Sequence, residues 1–163
     1  MPVILVEGIT DRIALEAVAA KLGLDIAARD IEIVPIGGAQ AIRRAFAEYE
    51  GERVAGLCDA GEERWFRRVL GAATHVCERD LEDELIRALG AERVEEVVAA
   101  QGELDTFRNF QNQLFWRGRP VEPQLRRWLQ NGGRQHRYPP LLVDAMEPDE
   151  IPRPLVGVLA ALG

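Results

Sequence analysis

Glu7 and Asp11 stand four residues apart, just after the apolar run Val3-Ile4-Leu5-Val6, with Gly8 between them to let the backbone turn tightly. Two further apolar runs end in the same way. Val54-Ala55-Gly56-Leu57-Cys58 stops on Asp59, and Thr74-His75-Val76-Cys77 leads into Asp80-Leu81-Glu82-Asp83-Glu84. Three strand ends that deliver carboxylates to one edge supply hard oxygen ligands. A cation such as Mg²⁺ or Mn²⁺ takes one or two of these together with water and phosphate oxygens. Such a site can activate water and stabilise a leaving oxygen, which is phosphodiester or phosphoryl-transfer chemistry. Each acid also has a plainer reading. Glu7 and Asp11 can belong to a helix-capping turn, and Asp59 can cap the next helix. Glu62, Glu63 and the Asp80–Glu84 run can be solvated first turns, where acids favour the helix dipole.

The basic residues are distributed very differently. Residues 1–107 hold 22 acids against 12 bases, whereas residues 108–137 hold seven arginines (Arg108, Arg117, Arg119, Arg126, Arg127, Arg134, Arg137) and one acid, Glu122. The net charge of −7 argues against nonspecific nucleic-acid binding, but a local basic face permits DNA or RNA to approach through 108–137. Arg134 and Arg137 are the candidates to clamp a phosphate. His136 lies between them in a segment, Gly133–Tyr138, that reads as a basic loop. Trp116 and Trp128 can stack on bases, although Trp128 also fits the apolar stripe of its helix. Gly37-Gly38 is a plain turn or a phosphate cradle without the lysine of a P-loop. His75 reads as structural. Cys58 and Cys77 read as small core residues in a reducing compartment, a disulfide being the alternative.

The elements that must position these groups follow from periodicity. Strands are expected at 3–6, 31–36, 54–58 and 74–77, and helices at 10–22, 39–49, 62–70 and 81–89. The alternation implies a mostly parallel four-stranded sheet with helices on both faces, an α/β fold of Rossmann-like type. From residue 91 the pattern is all-helical, with helices around Val94–Val98, 104–115, 123–130 and 152–162. Residues 131–133 read as a loop, and Pro139-Pro140 reads as opening a short helix. The expected organisation is an α/β core over 1–90 and a helical extension over 91–163 packed on it. At 163 residues and 47% hydrophobic content the chain is long enough for an ordinary folded core. No apolar run approaches the ~20 residues of a membrane helix, and no basic segment precedes the first apolar run as in a signal peptide. The expectation is a cytoplasmic protein that does not enter a membrane.

Val6-Glu7-Gly8-Ile9-Thr10-Asp11 resembles the opening motif of the TOPRIM domain. The aspartate at the fourth position after the glutamate, Gly37-Gly38-Ala39 after the second strand, Asp80–Leu85 and the helical second half resemble its OLD-type branch. The resemblance implies a Mg²⁺-dependent nuclease site, and its endonuclease activity makes a hydrolase the expected enzyme class. Glu7 would match the family glutamate that acts as ligand or general acid/base, and Asp11 the additional OLD-type acid. Asp59 would match the first aspartate of Asp-x-Asp, and Glu82 the later glutamate, with Asp80 or Asp83 near it. The metal-ligand candidates are therefore Glu7, Asp11, Asp59, Asp80, Glu82 and Asp83, and the catalytic candidates Glu7, Asp59, Arg134 and Arg137. Two departures stand out. Gly61 occupies the place of the second aspartate, with Glu62 or Glu63 as conceivable substitutes, and no lysine follows Lys21. A catalytically weak or inactive TOPRIM-like binding module, working with a separate ATPase or nucleic-acid-processing partner, is the alternative; a small-molecule phosphotransferase is a third.

Overall fold

The computed structural model describes residues 1–163. Four strands, β1 (Val3–Val6), β2 (Glu32–Pro35), β3 (Val54–Asp59) and β4 (Thr74–Cys77), form one sheet in the order β2-β1-β3-β4, and every pairing is parallel. Helix α1 (Ile9–Lys21) joins β1 to β2. A short 3₁₀ turn and α2 (Ile42–Ala47) join β2 to β3, and α3 (Glu63–Leu70) joins β3 to β4. The chain leaves β1 in one direction for β2, then crosses back to β3 and β4. Parallel crossovers are right-handed, so that reversal puts α1 on one face of the sheet and α2 and α3 on the other. The reversal point lies between β1 and β3, and open α/β sheets bind ligands beyond the carboxyl ends of strands at such a point.

The strands read as continuous apolar runs because both faces are covered. Val3, Ile4, Leu5 and Val6 are all fully buried. Their side chains alternate between two cores. Ile4 and Val6 join a cluster of 30 buried residues with α1 and the helical half of the chain, while Val3 and Leu5 join a cluster of six with Ile42 and Phe66. Cys58 belongs to the smaller cluster and Cys77 to the larger, so the two thiols lie on opposite faces of the sheet and remain free.

After β4 come α4 (Leu81–Leu89), α5 (Ala91–Ala100), α6 (Leu104–Gln111), α7 (Val121–Leu129), α8 (Arg134–Ala145) and α9 (Arg153–Ala160). These helices have no core of their own. Val94, Phe107, Trp128, Tyr138 and Leu155 enter the same 30-residue cluster as sheet residues Ile4, Ile33 and Leu57. Helix α8 packs along α1, and α9 packs beneath β3 and β4.

The sequence expectation departs from the structure most at α8. Its helix begins at Arg134, five residues before Pro139, so the segment read as a basic loop is helical. Gly133, in the left-handed conformation at φ 78°, sets the entry. Pro139 and Pro140 lie inside the helix, where a proline normally costs a hydrogen bond and meets the preceding turn. Burial of Tyr138, Pro139, Leu142 and Val143 in the central core outweighs that local cost. Smaller departures are of one kind: α2 is six residues instead of eleven, and α6 ends at Gln111 instead of 115.

Gly56 fixes the seat of α3 on the sheet. A β-carbon there would stand 2.5 Å from Leu70 Cδ1 and 2.8 Å from Phe66 Cδ2. Gly56→Val is therefore expected to destabilise the fold by ~2–3 kcal/mol through overpacking, a drop in melting temperature of roughly 4–12 °C measurable by circular dichroism. An unchanged melting temperature would contradict this packing.

Candidate metal centre

The parallel register places Val6 opposite Leu57 and Val3 opposite Val54, so Glu7 leaves β1 beside the last residues of β3. The Asp59 backbone N–H donates to Glu7 Oε1 at 3.2 Å, which joins the two strand ends directly. Gly8 follows Glu7 and is the N-cap of α1. Asp11, the third residue of that helix, accepts the Gly8 N–H through Oδ2 at 3.0 Å. Asp11 is thus a capping residue, as its plainer reading held, and it also lines the crevice. Asp59 closes β3, which pairs with Cys77 at the end of β4. From there the chain passes directly into α4, whose first turn carries Glu82.

Glu7, Gly8, Thr10, Asp11, Asp59, Leu81 and Glu82 line one crevice of about 290 Å³. Four of the six metal-ligand candidates therefore meet, all half-buried. Burial raises the Asp59 carboxyl to about 8, and repulsion from Glu7, Asp11, Asp80 and Glu82 adds to it. Burial likewise raises Asp11 to about 7, opposed by the Gly8 hydrogen bond and reinforced by Glu7 and Glu82. Glu7 is raised by burial, partly offset by the Asp59 N–H, with Glu62 repelling it. Glu82 is raised by burial as well. Glu62 is thus the acid beyond Gly61 that senses Glu7, whereas Glu63 is occupied by Arg67 at 2.7 Å.

The remaining candidates are placed elsewhere. Asp80 caps α4 by accepting the Asp83 N–H at 2.9 Å, and its other oxygen takes Arg126 Nη2 at 2.5 Å and Gln130 Nε2 at 3.1 Å. It borders the crevice as a charge but does not line it. Asp83 pairs with Arg87 at 2.9 Å. Arg134 and Arg137, expected to clamp phosphate, do not line the crevice either. Because their segment is helical, Arg134 lies over the Trp128 ring at 4.2 Å and donates to the Trp128 carbonyl, while Arg137 pairs with Glu103. A cation that does act on the crevice is Arg126, held by Asp80 and favouring the ionised Glu82. Sequence reading could not single it out, because its partner is 46 residues away and no local pattern joins them.

The donor set is entirely carboxylate oxygen, and its acids are held up by burial and by one another. A hard divalent cation relieves both penalties, so the residues fit Mg²⁺ or Mn²⁺. No three His, Cys, Asp or Glu side chains stand close enough together to hold one ion, so an ion here would rest on one or two carboxylates and on water.

In metal-free protein Asp59 titrates near 8 when folded and near 3.8, its ordinary value, when unfolded. Between about pH 4 and 8 the folded state holds a proton that the unfolded chain has released, so this group's contribution to stability falls as pH rises through that window. Asp59→Asn removes the ionisation. Its melting temperature in chelator is expected to gain on that of the parent protein from pH 5 to about 8 and to level off above that; a constant difference across the window would refute the assignment.

Comparison with known proteins bears on the fold that carries this crevice. Residues 2–55 match the family model "Overcoming lysogenization defect protein-like, TOPRIM domain". No curated protein matches by sequence. Among solved structures, the C-terminal region of the Burkholderia pseudomallei OLD protein superposes with a TM-score of 0.74 at 14% identity, over 99% of this chain and 96% of that one. The C-terminal region of the Xanthomonas campestris pv. campestris OLD protein gives 0.72 at 21% identity, over 99% and 91%. The family match spans β1, α1 and β2, and the fold shared with the OLD C-terminal regions spans nearly every residue, so this chain resembles an OLD-like TOPRIM domain in both.

Proposed function

We propose that this domain cleaves nucleic-acid phosphodiesters with Mg²⁺ or Mn²⁺ as cofactor. The observation that carries the reading is the meeting of Glu7, Asp11, Asp59 and Glu82 in one half-buried crevice at the reversal point of the sheet. One or two of these carboxylates would hold the ion, with water completing its shell. When bound, a divalent cation lowers the pKa of a water and neutralises charge on phosphoryl oxygens.

The chain's own groups do the rest. The Asp59 N–H occupies Glu7 Oε1 and the Gly8 N–H occupies Asp11 Oδ2, so each carboxylate is oriented through one oxygen. Helices α1 and α4 both begin at the crevice, and the N-terminal ends of helices favour an anionic phosphate. Arg126, anchored on Asp80, adds positive charge beside Glu82.

A second reading, a metal-binding module with little catalysis that serves a separate ATPase, is favoured by one observation. Gly61 stands two residues after Asp59, and no cationic side chain lines the crevice. One set of measurements separates the two. Purified protein is incubated with single- and double-stranded DNA and RNA in Mg²⁺ or Mn²⁺, and metal binding is titrated by calorimetry. The expected outcome is cleavage that chelator abolishes and Glu7→Gln lowers at least ~10²-fold. Metal binding that depends on Asp59 without any cleavage would establish the binding module. Neither binding nor cleavage would defeat both readings.

A further inference from the structure

Seven arginines in 108–137 face only one acid within the segment, yet the fold employs several of them internally. Arg108 pairs with Glu95, Arg126 with Asp80 and Arg137 with Glu103, and Arg134 is laid over Trp128. Arg117, Arg119 and Arg127 are exposed and pair with no carboxylate. In the same stretch, between α6 and α7, Leu114 is 88% and Phe115 63% exposed, the two most exposed large apolar side chains of the chain. Arg119 lies over the Phe115 ring at 3.9 Å.

This projection is built. An aromatic series runs outward from the core: Phe107 stacks with Phe110, Phe110 meets Trp116 at 5.2 Å, and Trp116 meets Phe115 edge-on at 4.9 Å. Buried Gln124 holds the loop from beneath, donating to the Trp116 carbonyl at 2.8 Å and accepting from Gln111 at 2.8 Å. The loop then passes into α7, nine residues or about 13 Å long, whose last turn brings Arg126 to Asp80 beside the acidic crevice.

From this geometry we infer that Phe115, with Arg117 and Arg119, forms a binding site for single-stranded nucleic acid, in which a base stacks on the Phe115 ring and the arginines meet flanking phosphates. An exposed ring with a guanidinium on it is sequence-tolerant toward bases. In a duplex the bases are stacked on one another and reach the ring only after unstacking. Arg117 and Arg119 put unpaired positive charge beside the ring in a protein of net charge −7, which favours a polyanion. The inference rests on the nuclease reading for its biological sense.

Fluorescence anisotropy with a labelled oligothymidylate tests it, with the full chain in chelator so that no cleavage intervenes. Binding is expected to be tighter for the single strand than for its duplex. Phe115→Ala should weaken it about tenfold, the equivalent of one lost base stack, and Phe115→Trp should restore it. Arg119→Gln should flatten the dependence of log affinity on log salt by about 0.7. Circular dichroism and melting temperature serve as folding controls, and both side chains are exposed enough to be replaced without unfolding the domain. Equal binding by the parent protein and both variants would overturn the inference, and so would duplex binding as tight as that of the single strand. If Phe115→Ala alters only self-association in sedimentation, the surface is a protein contact and the inference fails. Loss of metal-dependent cleavage with intact oligonucleotide binding would count against the nuclease reading alone, and the reverse result against this one alone.

Discussion

The pairing of β1 with β3 is the constraint on which the rest of the structure depends. Those strands are separated by nearly fifty residues of sequence but lie side by side, with Val6 opposite Leu57. Their common end sets Glu7 against the backbone of Asp59. Two carboxylates brought so close, with Asp11 and Glu82 nearby, repel one another. The arrangement persists because the groups that hold it are not the acids. The fully buried Val3–Val6 and the well-covered Ala55, Leu57 and Cys58 belong to strands packed on both faces, and apolar burial of that kind is the dominant favourable term in folding. The acids lie where the strands end, and the core carries the cost of placing them there.

That balance explains why the crevice is suited to a cation. Burial and mutual repulsion favour the protonated acids, and a divalent ion is the ligand that would reverse both effects at once. The helical half of the chain contributes from a distance. It completes the 30-residue core beneath the sheet, and through α7 it supplies Arg126 and Gln130, which fasten Asp80 and hence the start of α4. The first turn carrying Glu82 is therefore positioned by residues far along the chain.

Much of this was legible in the residues. The four apolar runs, each of strand length and bounded by turn residues, marked the strands closely, and the alternation with helical stripes required a parallel sheet. Glu7, Asp11 and Asp59 were singled out by their position after those runs, and Glu82 was chosen from its acidic run by the family resemblance. Local signals failed where long-range packing outweighed them. Pro139-Pro140 is a sound sign of a helix start when the helix is considered alone, but the apolar side chains around it are buried against α1 and the helix runs through it. Once that segment is helical, Arg134 and Arg137 turn to Trp128 and Glu103, and the basic loop imagined beside the acids does not exist.

The sequence by itself determined which residues are strand and which are helix over most of the chain, and which acids end the strands. Both follow from short-range periodicity and from the cost of burying charge. The order β2-β1-β3-β4, the sharing of one crevice by three strand ends, and the division of the arginines between structural pairs and an exposed face were decided only by the tertiary structure. Those outcomes depend on contacts between residues dozens of positions apart. Their energies come from burial in a common core and from partners such as Asp80 and Arg126, which no local pattern of residues encodes.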